Sequence, residues 1–223
     1  MKRTKLSQRK LPDYTKGEEI MNMVTHIAGG GLAIIATALC ILRTALRGNT
    51  PGLIGSVIYG ASMILLYAIS SVYHGMRVGT GKKVLQILDH CAIYFLISGT
   101  YTPILLSAFV PVFPLIGWGG LVFQWGLAIH AATLTAIDMH RYRVLSMVCY
   151  ITMGWSIIFF LPQLLQLVGS GCFAFLLAGG IAYTIGAILY GIGVKCRWMH
   201  SVFHIFVVIG SALQFVSIFF YVL

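Results

Sequence analysis

The chain is dominated by a succession of long apolar runs with almost no charge inside them. A bilayer's hydrocarbon core, about 30 Å thick, needs roughly 20 mostly apolar residues per crossing helix. Seven stretches meet that requirement, at about 20–42, 52–74, 84–108, 114–136, 144–167, 172–194 and 199–222. Turn or charge signals separate them: "RTALRGNTPG", "GMRVGTGKK", "VPVFP", "DMHRYR", "GSG" and "KCRW". Only 9% of the 223 residues are charged, where a soluble domain carries about one quarter. Inside lipid, a helix satisfies its own backbone polar groups, whereas loops and open strands do not. The expected fold is therefore all-α, a bundle of seven transmembrane helices. Residues 1–18 read as a basic cytoplasmic tail, and 19–223 as a single membrane domain with no linker long enough to divide it.

The net charge of +10 raises the question of nucleic acid, but its placement answers otherwise. With the N-terminus in the cytoplasm, Lys2, Arg3, Lys5, Arg9, Lys10 and Lys16 fall inside, as do Arg77, Lys82, Lys83, Arg141, Arg143, Lys195 and Arg197. The outside then keeps only Arg43 and Arg47, a split of 13 against 2. That asymmetry is the positive-inside pattern, so the basic charge is topology and no nucleic-acid partner is expected. An odd number of crossings puts the C-terminus outside. Glu18 and Glu19 interrupt the basic start and no small-residue cleavage site follows, so the first span reads as retained rather than as a signal peptide. The five cysteines are scattered and form no C-x-x-C pair, which argues against a disulfide framework or a thiolate zinc site.

The costly polar residues gather at one membrane level. Glu19, Asn22 and His26 share a face at the start of the first helix, and Ser70 and His74 close the second. Asp89 opens the third; His200 and His204 open the seventh. Four residues rise about 6 Å along a helix and make nearly one turn, so His200 and His204 can aim at one point. His74 completes a three-imidazole set if the second and seventh helices meet. Three nitrogen ligands with an open fourth position is a common catalytic zinc arrangement. Asp89 would then serve as proton acceptor, with Ser70 one turn deeper than His74. Taken singly, each histidine reads as an interfacial or hydrogen-bonded residue, Asp89 as a partner of Lys82 or Lys83, and Glu19, Asn22 or Thr25 as a helix cap. The convergence of His74, Asp89, His200 and His204 favours the metal reading, with Glu19, Asn22 and His26 around it. Two inward stripes continue below the site, Tyr67–Met63–Tyr59 and Ser211–Gln214. His90 points about 100° away from Asp89 on an ideal helix and is left out, and His130 reads as a buried hydrogen-bonding group. Gly29, Gly30 and Gly31 read as a helix-packing stripe, and Pro103 as a kink.

The motifs "EIMNMVTH" (19–26), "SSVYH" (70–74), "LDHCAIYFLISGTYTP" (88–103) and "HSVFH" (200–204) resemble the bacterial hemolysin III family, within the wider progestin and adipoQ receptor group. The resemblance runs from about Glu18 to the C-terminus. It implies zinc near the cytoplasmic face of a bacterial inner membrane, held by His74, His200 and His204, with Asp89 and Ser70 in the same site. The wider superfamily includes alkaline ceramidases, which by analogy implies zinc-dependent hydrolysis of a lipid amide or ester, with membrane lipids as substrate. Two other functions are compatible with the motifs. One is a sensor of membrane state with structural zinc; the other is the cytolysin of the family's name, which the conventional inserted bundle does not favour.

Overall fold

A computed structural model describes residue 4 and residues 6–223 of the chain. Lys2, Arg3 and Lys5 of the expected basic tail lie outside the described residues. The first helix, α1 (Lys16–Leu46), begins ahead of the apolar run because Thr15 caps it. The Thr15 hydroxyl accepts the Glu18 N–H at 3.2 Å, and the Glu18 carboxylate accepts the Thr15 N–H at 2.8 Å. This reciprocal pair satisfies two of the amides that a helix start leaves unpartnered. Glu19, Asn22 and Thr25 are therefore not caps; Thr25 instead donates back to the Met21 carbonyl at 2.7 Å.

α2 (Thr50–Gly75) is capped by Asn49, whose side chain accepts the Gly52 N–H at 2.9 Å. α3 (Thr80–Ile104) contains Pro103 and passes directly into a π-helical turn, Leu105–Phe109, before ending at Val112. Proline lacks a backbone N–H and crowds the preceding turn, which accounts for the change of winding beside it. α4 (Pro114–Asp138), α5 (Arg143–Trp155), α6 (Leu161–Gly193) and α7 (Met199–Ser217) follow.

Among the described residues, six helical segments are long and apolar enough to cross a membrane. The difference from seven lies in one place. The stretches expected at 144–167 and 172–194 follow one another without an intervening loop, so that helical winding extends over Arg143–Gly193, 51 residues, interrupted at Gly169. The "GSG" separator between them is not a loop. It is one break in α6 at Gly169, with φ +75° and ψ 173°. Only glycine adopts that backbone without a steric penalty.

The helices pack in a closed ring in sequence order, each on the next and α7 back on α1. Large aliphatic residues such as Ile34, Ile35, Leu42, Val122 and Ile188 are exposed on the outside, while Tyr59, Tyr67, Tyr94 and Phe109 are buried inside. Hydroxyls within the helices satisfy themselves where water cannot reach. Thr37, Thr44, Ser56, Thr100, Thr102 and Thr184 each donate to the carbonyl four residues earlier at 2.6–2.8 Å. Of the glycine triplet only Gly29 serves close packing: a Cβ there would lie 2.7 Å from the Tyr67 ring, whereas Gly31 faces open space. Cys40, Cys91, Cys149 and Cys172 are buried free thiols, and Cys196 is exposed.

Candidate metal centre

α1, α3, α5 and α7 begin at the same end of the ring where α2, α4 and α6 finish, and there the ionisable residues meet. His74, His200 and His204 are buried, and one ligand nitrogen from each lies within 4.8 Å of the other two. The Nε2 atoms of His200 and His204 are 3.1 Å apart, as the one-turn spacing allows. His74 Nδ1 sits 2.6 Å from Glu19 Oε2, while its Nε2 is buried without a partner. A carboxylate accepts only, so Nδ1 carries the proton and the Nε2 lone pair faces the other two rings. A carboxylate behind an imidazole is the usual outer support of a metal-binding histidine, fixing its tautomer and raising its basicity. The residues present fit a metal: three imidazoles converge, and an orphaned buried nitrogen points among them.

The surrounding residues hold this geometry. Lys82 is buried and donates to Glu19 Oε1 at 2.6 Å and to the Met76 carbonyl at 3.0 Å, so Glu19 is fixed from two sides. The amide of Asn22 lies 3.4 Å from His74 Nδ1. His26 stacks on His204 with ring centroids 3.8 Å apart, and both its nitrogens lack partners. Deeper in the bundle, the Tyr67 hydroxyl donates to Ser211 at 2.8 Å, and Tyr183 pairs with the same oxygen. That contact ties α2, α6 and α7 together below the imidazoles.

Two placements depend on residues that sequence reasoning did not single out. Tyr14 returns over the site and stacks on His200 at 4.8 Å with the rings 16° from parallel; it also reaches His74 at 5.9 Å. Burial, reinforced by neighbouring Tyr190, Glu19, Asp89 and Glu18, pushes the Tyr14 hydroxyl pKa up, so the ring is neutral. Glu18 accepts the Trp198 N–H at 2.6 Å, and Trp198 has φ +66°, an uncommon conformation for a bulky residue. The Glu18 bond holds this strained turn and thereby sets where α7 starts and where His200 points.

Ser70 and Asp89 line one end of a cavity of about 170 Å³ together with His26, His200 and His204. The Ser70 hydroxyl is buried and has no hydrogen-bond partner within 3.5 Å. The rest of the cavity is mostly apolar, running between α3, α5, α6 and α7 past Ile93, Ile97, Leu176 and Val207 to Ile104, with hydroxyls such as Thr100 and Thr184 in its walls. A single water needs only about 10–15 Å³ by a comparable measure, so there is room for a larger guest. Asp89 does not pair with Lys82, which is committed to Glu19. His90, expected to point away, lines the same cavity and meets the Tyr190 hydroxyl at 3.0 Å. His130 is exposed on the outer face of α4 and not buried.

Exchanging Glu19 for glutamine is expected to weaken metal binding about 10–100-fold, the usual effect of losing an outer-shell carboxylate. Competition with a chromogenic chelator measures it; unchanged affinity would mean that Glu19 serves only to pair Lys82.

Residues 14–215 match the family model described as "Haemolysin-III related". The chain is 40% identical over 207 residues to Hemolysin-3 of Bacillus cereus, covering 92% of each chain. The chain belongs to the hemolysin III family. It is also 37% identical over 208 residues to the Hemolysin-3 homolog of Bacillus subtilis (strain 168), covering 93% of this chain and 96% of that one. More distantly, it is 26% identical over 171 residues to the human monocyte to macrophage differentiation factor, covering 72% and 67%. This member of the hemolysin III family is thus a multi-pass membrane protein whose three clustered histidines all fall within the family match.

Proposed function

We propose that the protein is a zinc-dependent hydrolase of a lipid amide or ester, with His74, His200 and His204 holding the metal. The observation that carries this reading is the convergence of three buried imidazoles beside Asp89 and Ser70 at the polar end of an apolar cavity. Bound zinc would supply Lewis acidity, polarising a carbonyl and making water nucleophilic near neutral pH. Asp89 accepts the proton that the attacking water loses. The buried Ser70 hydroxyl donates to the carbonyl oxygen as negative charge develops there. The apolar walls hold the acyl chain and keep bulk water away. Ile151 lines the cavity and is also exposed on the outer face of α5, which offers a lipid a way in from the bilayer.

The topology supports the same reading. Arg143–Gly193, at about 1.5 Å per helical residue, is more than twice the hydrocarbon thickness, so the chain crosses twice there and seven times in all. The excess of Lys and Arg at the site's end makes that end cytoplasmic, with residues 1–18 as a tail, 19–223 as one membrane domain and the C-terminus outside.

The test is lipid turnover by purified protein offered N-acyl and O-acyl lipids. Activity is expected to vanish on chelation and return with added zinc; turnover that survives complete metal removal would overturn the proposal.

A further inference from the structure

A second cavity, of about 450 Å³, lies at the same end of the bundle. Its walls come from Lys10–Tyr14, the α4–α5 turn and the α6–α7 turn, segments far apart in the sequence. Lys10, Arg143, Lys195 and Arg197 all line it. The acidic residues in its wall are Asp13 and Glu18. Glu18 is already taken by Thr15 and by the Trp198 amide. Among the described residues the ion pairs are those of Glu19 with His74 and Lys82, so none of the four cations has a carboxylate partner within 4.0 Å. Unpaired cations in a concavity focus a positive potential there.

The two cavities are adjoining. His90, Met147, Tyr150 and Tyr190 line both, so the partition between them is made of side chains. His90 Nε2 meets the Tyr190 hydroxyl at 3.0 Å, and Tyr150 donates to the His90 carbonyl at 2.8 Å. Asp89 is the neighbour of His90 in sequence and lines the apolar chamber. A molecule with a charged head and an apolar tail would therefore lie across this partition, its scissile region beside Asp89. Orientation in the membrane alone does not call for such a vestibule: Arg77, exposed at the same end, serves the positive-inside pattern without lining it.

We propose that this vestibule binds the phosphate of an anionic lipid headgroup, so that the substrate class is a phosphate-bearing acyl lipid. The assignment rests on the lipid-hydrolase reading above. Arginine suits this task because its planar guanidinium matches phosphate oxygens two at a time.

Binding to the intact protein in neutral detergent tests this, using ether-linked lipids that contain no ester or amide to hydrolyse. Dialkylglycerol phosphate is expected to bind at least about tenfold tighter than dialkylglycerol with the same chains, the scale of a charge-assisted contact. Arg143→Gln combined with Arg197→Gln should erase that preference. Both side chains are exposed, so the fold should survive, as elution volume and melting temperature will report. Arg77→Gln should leave the preference within about twofold, as expected for a screened surface charge. Equal binding of the two lipids, or an equal loss from Arg77→Gln, would overturn the proposal. So would inorganic phosphate binding as tightly as the lipid phosphate, since the site would then take a free anion. The assay needs no turnover. A phosphate preference without hydrolysis of any lipid would therefore retain the vestibule and reject the hydrolase.

Discussion

Replacing His204 with alanine is expected to remove the metal and reduce lipid turnover to background. His204 offers one of three converging ring nitrogens, and its Nε2 faces that of His200 at 3.1 Å. Two imidazoles remaining from a three-ligand set cannot hold zinc firmly, so the loss should exceed the ~10–100-fold of an outer-shell change. The side chain is also buried against His26, so truncation leaves a cavity that costs about 2–5 kcal/mol by analogy with other large-to-alanine changes. His204→Gln keeps most of the volume and serves as the control for folding. Metal content and turnover should fall together in both variants, with elution unchanged in the glutamine variant. Full activity in His204→Gln without bound metal would remove zinc from the chemistry.

Asp89→Asn should separate metal from activity. The amide has nearly the shape of the carboxylate but cannot accept a proton. Asp89 lies outside the three-histidine set, so zinc should be retained at wild-type stoichiometry. Turnover should fall by about 10²–10⁴, the usual contribution of a positioned general base. A sensor with structural zinc predicts the opposite pattern. Its output would tolerate Asp89→Asn, while metal removal would lower its melting temperature. Measuring zinc content and turnover in the same preparation distinguishes the two.

The parts of this molecule that local pattern can encode were legible in the sequence. Apolar length marked the spans, and one-turn spacing set His200 and His204 on a common face. The inward stripes placed Tyr67 and Ser211 where they now share a hydrogen bond. The Thr15–Glu18 spacing is equally readable as a capping box, although it sits among basic residues that read as a tail. Other features depend on where the chain returns. Nothing local says that Tyr14 folds back over His200, or that Glu18 accepts the Trp198 amide across the bundle. Lys82 was available to Asp89 by proximity in sequence, yet it pairs with Glu19 on another helix. Glycine and serine signal a turn at "GSG", and the chain does break there; the break is a single non-helical residue, Gly169, between two helical stretches rather than a loop. A histidine within an apolar run is expected to face inward for a hydrogen-bond partner, yet His130 faces outward.

Zinc K-edge X-ray absorption on the purified protein tests the metal centre most directly. One zinc per chain is expected, with three imidazole nitrogens at about 2.0–2.1 Å and no sulfur neighbour. A protein purified without stoichiometric metal, or a shell containing sulfur near 2.3 Å, would contradict a centre built from His74, His200 and His204.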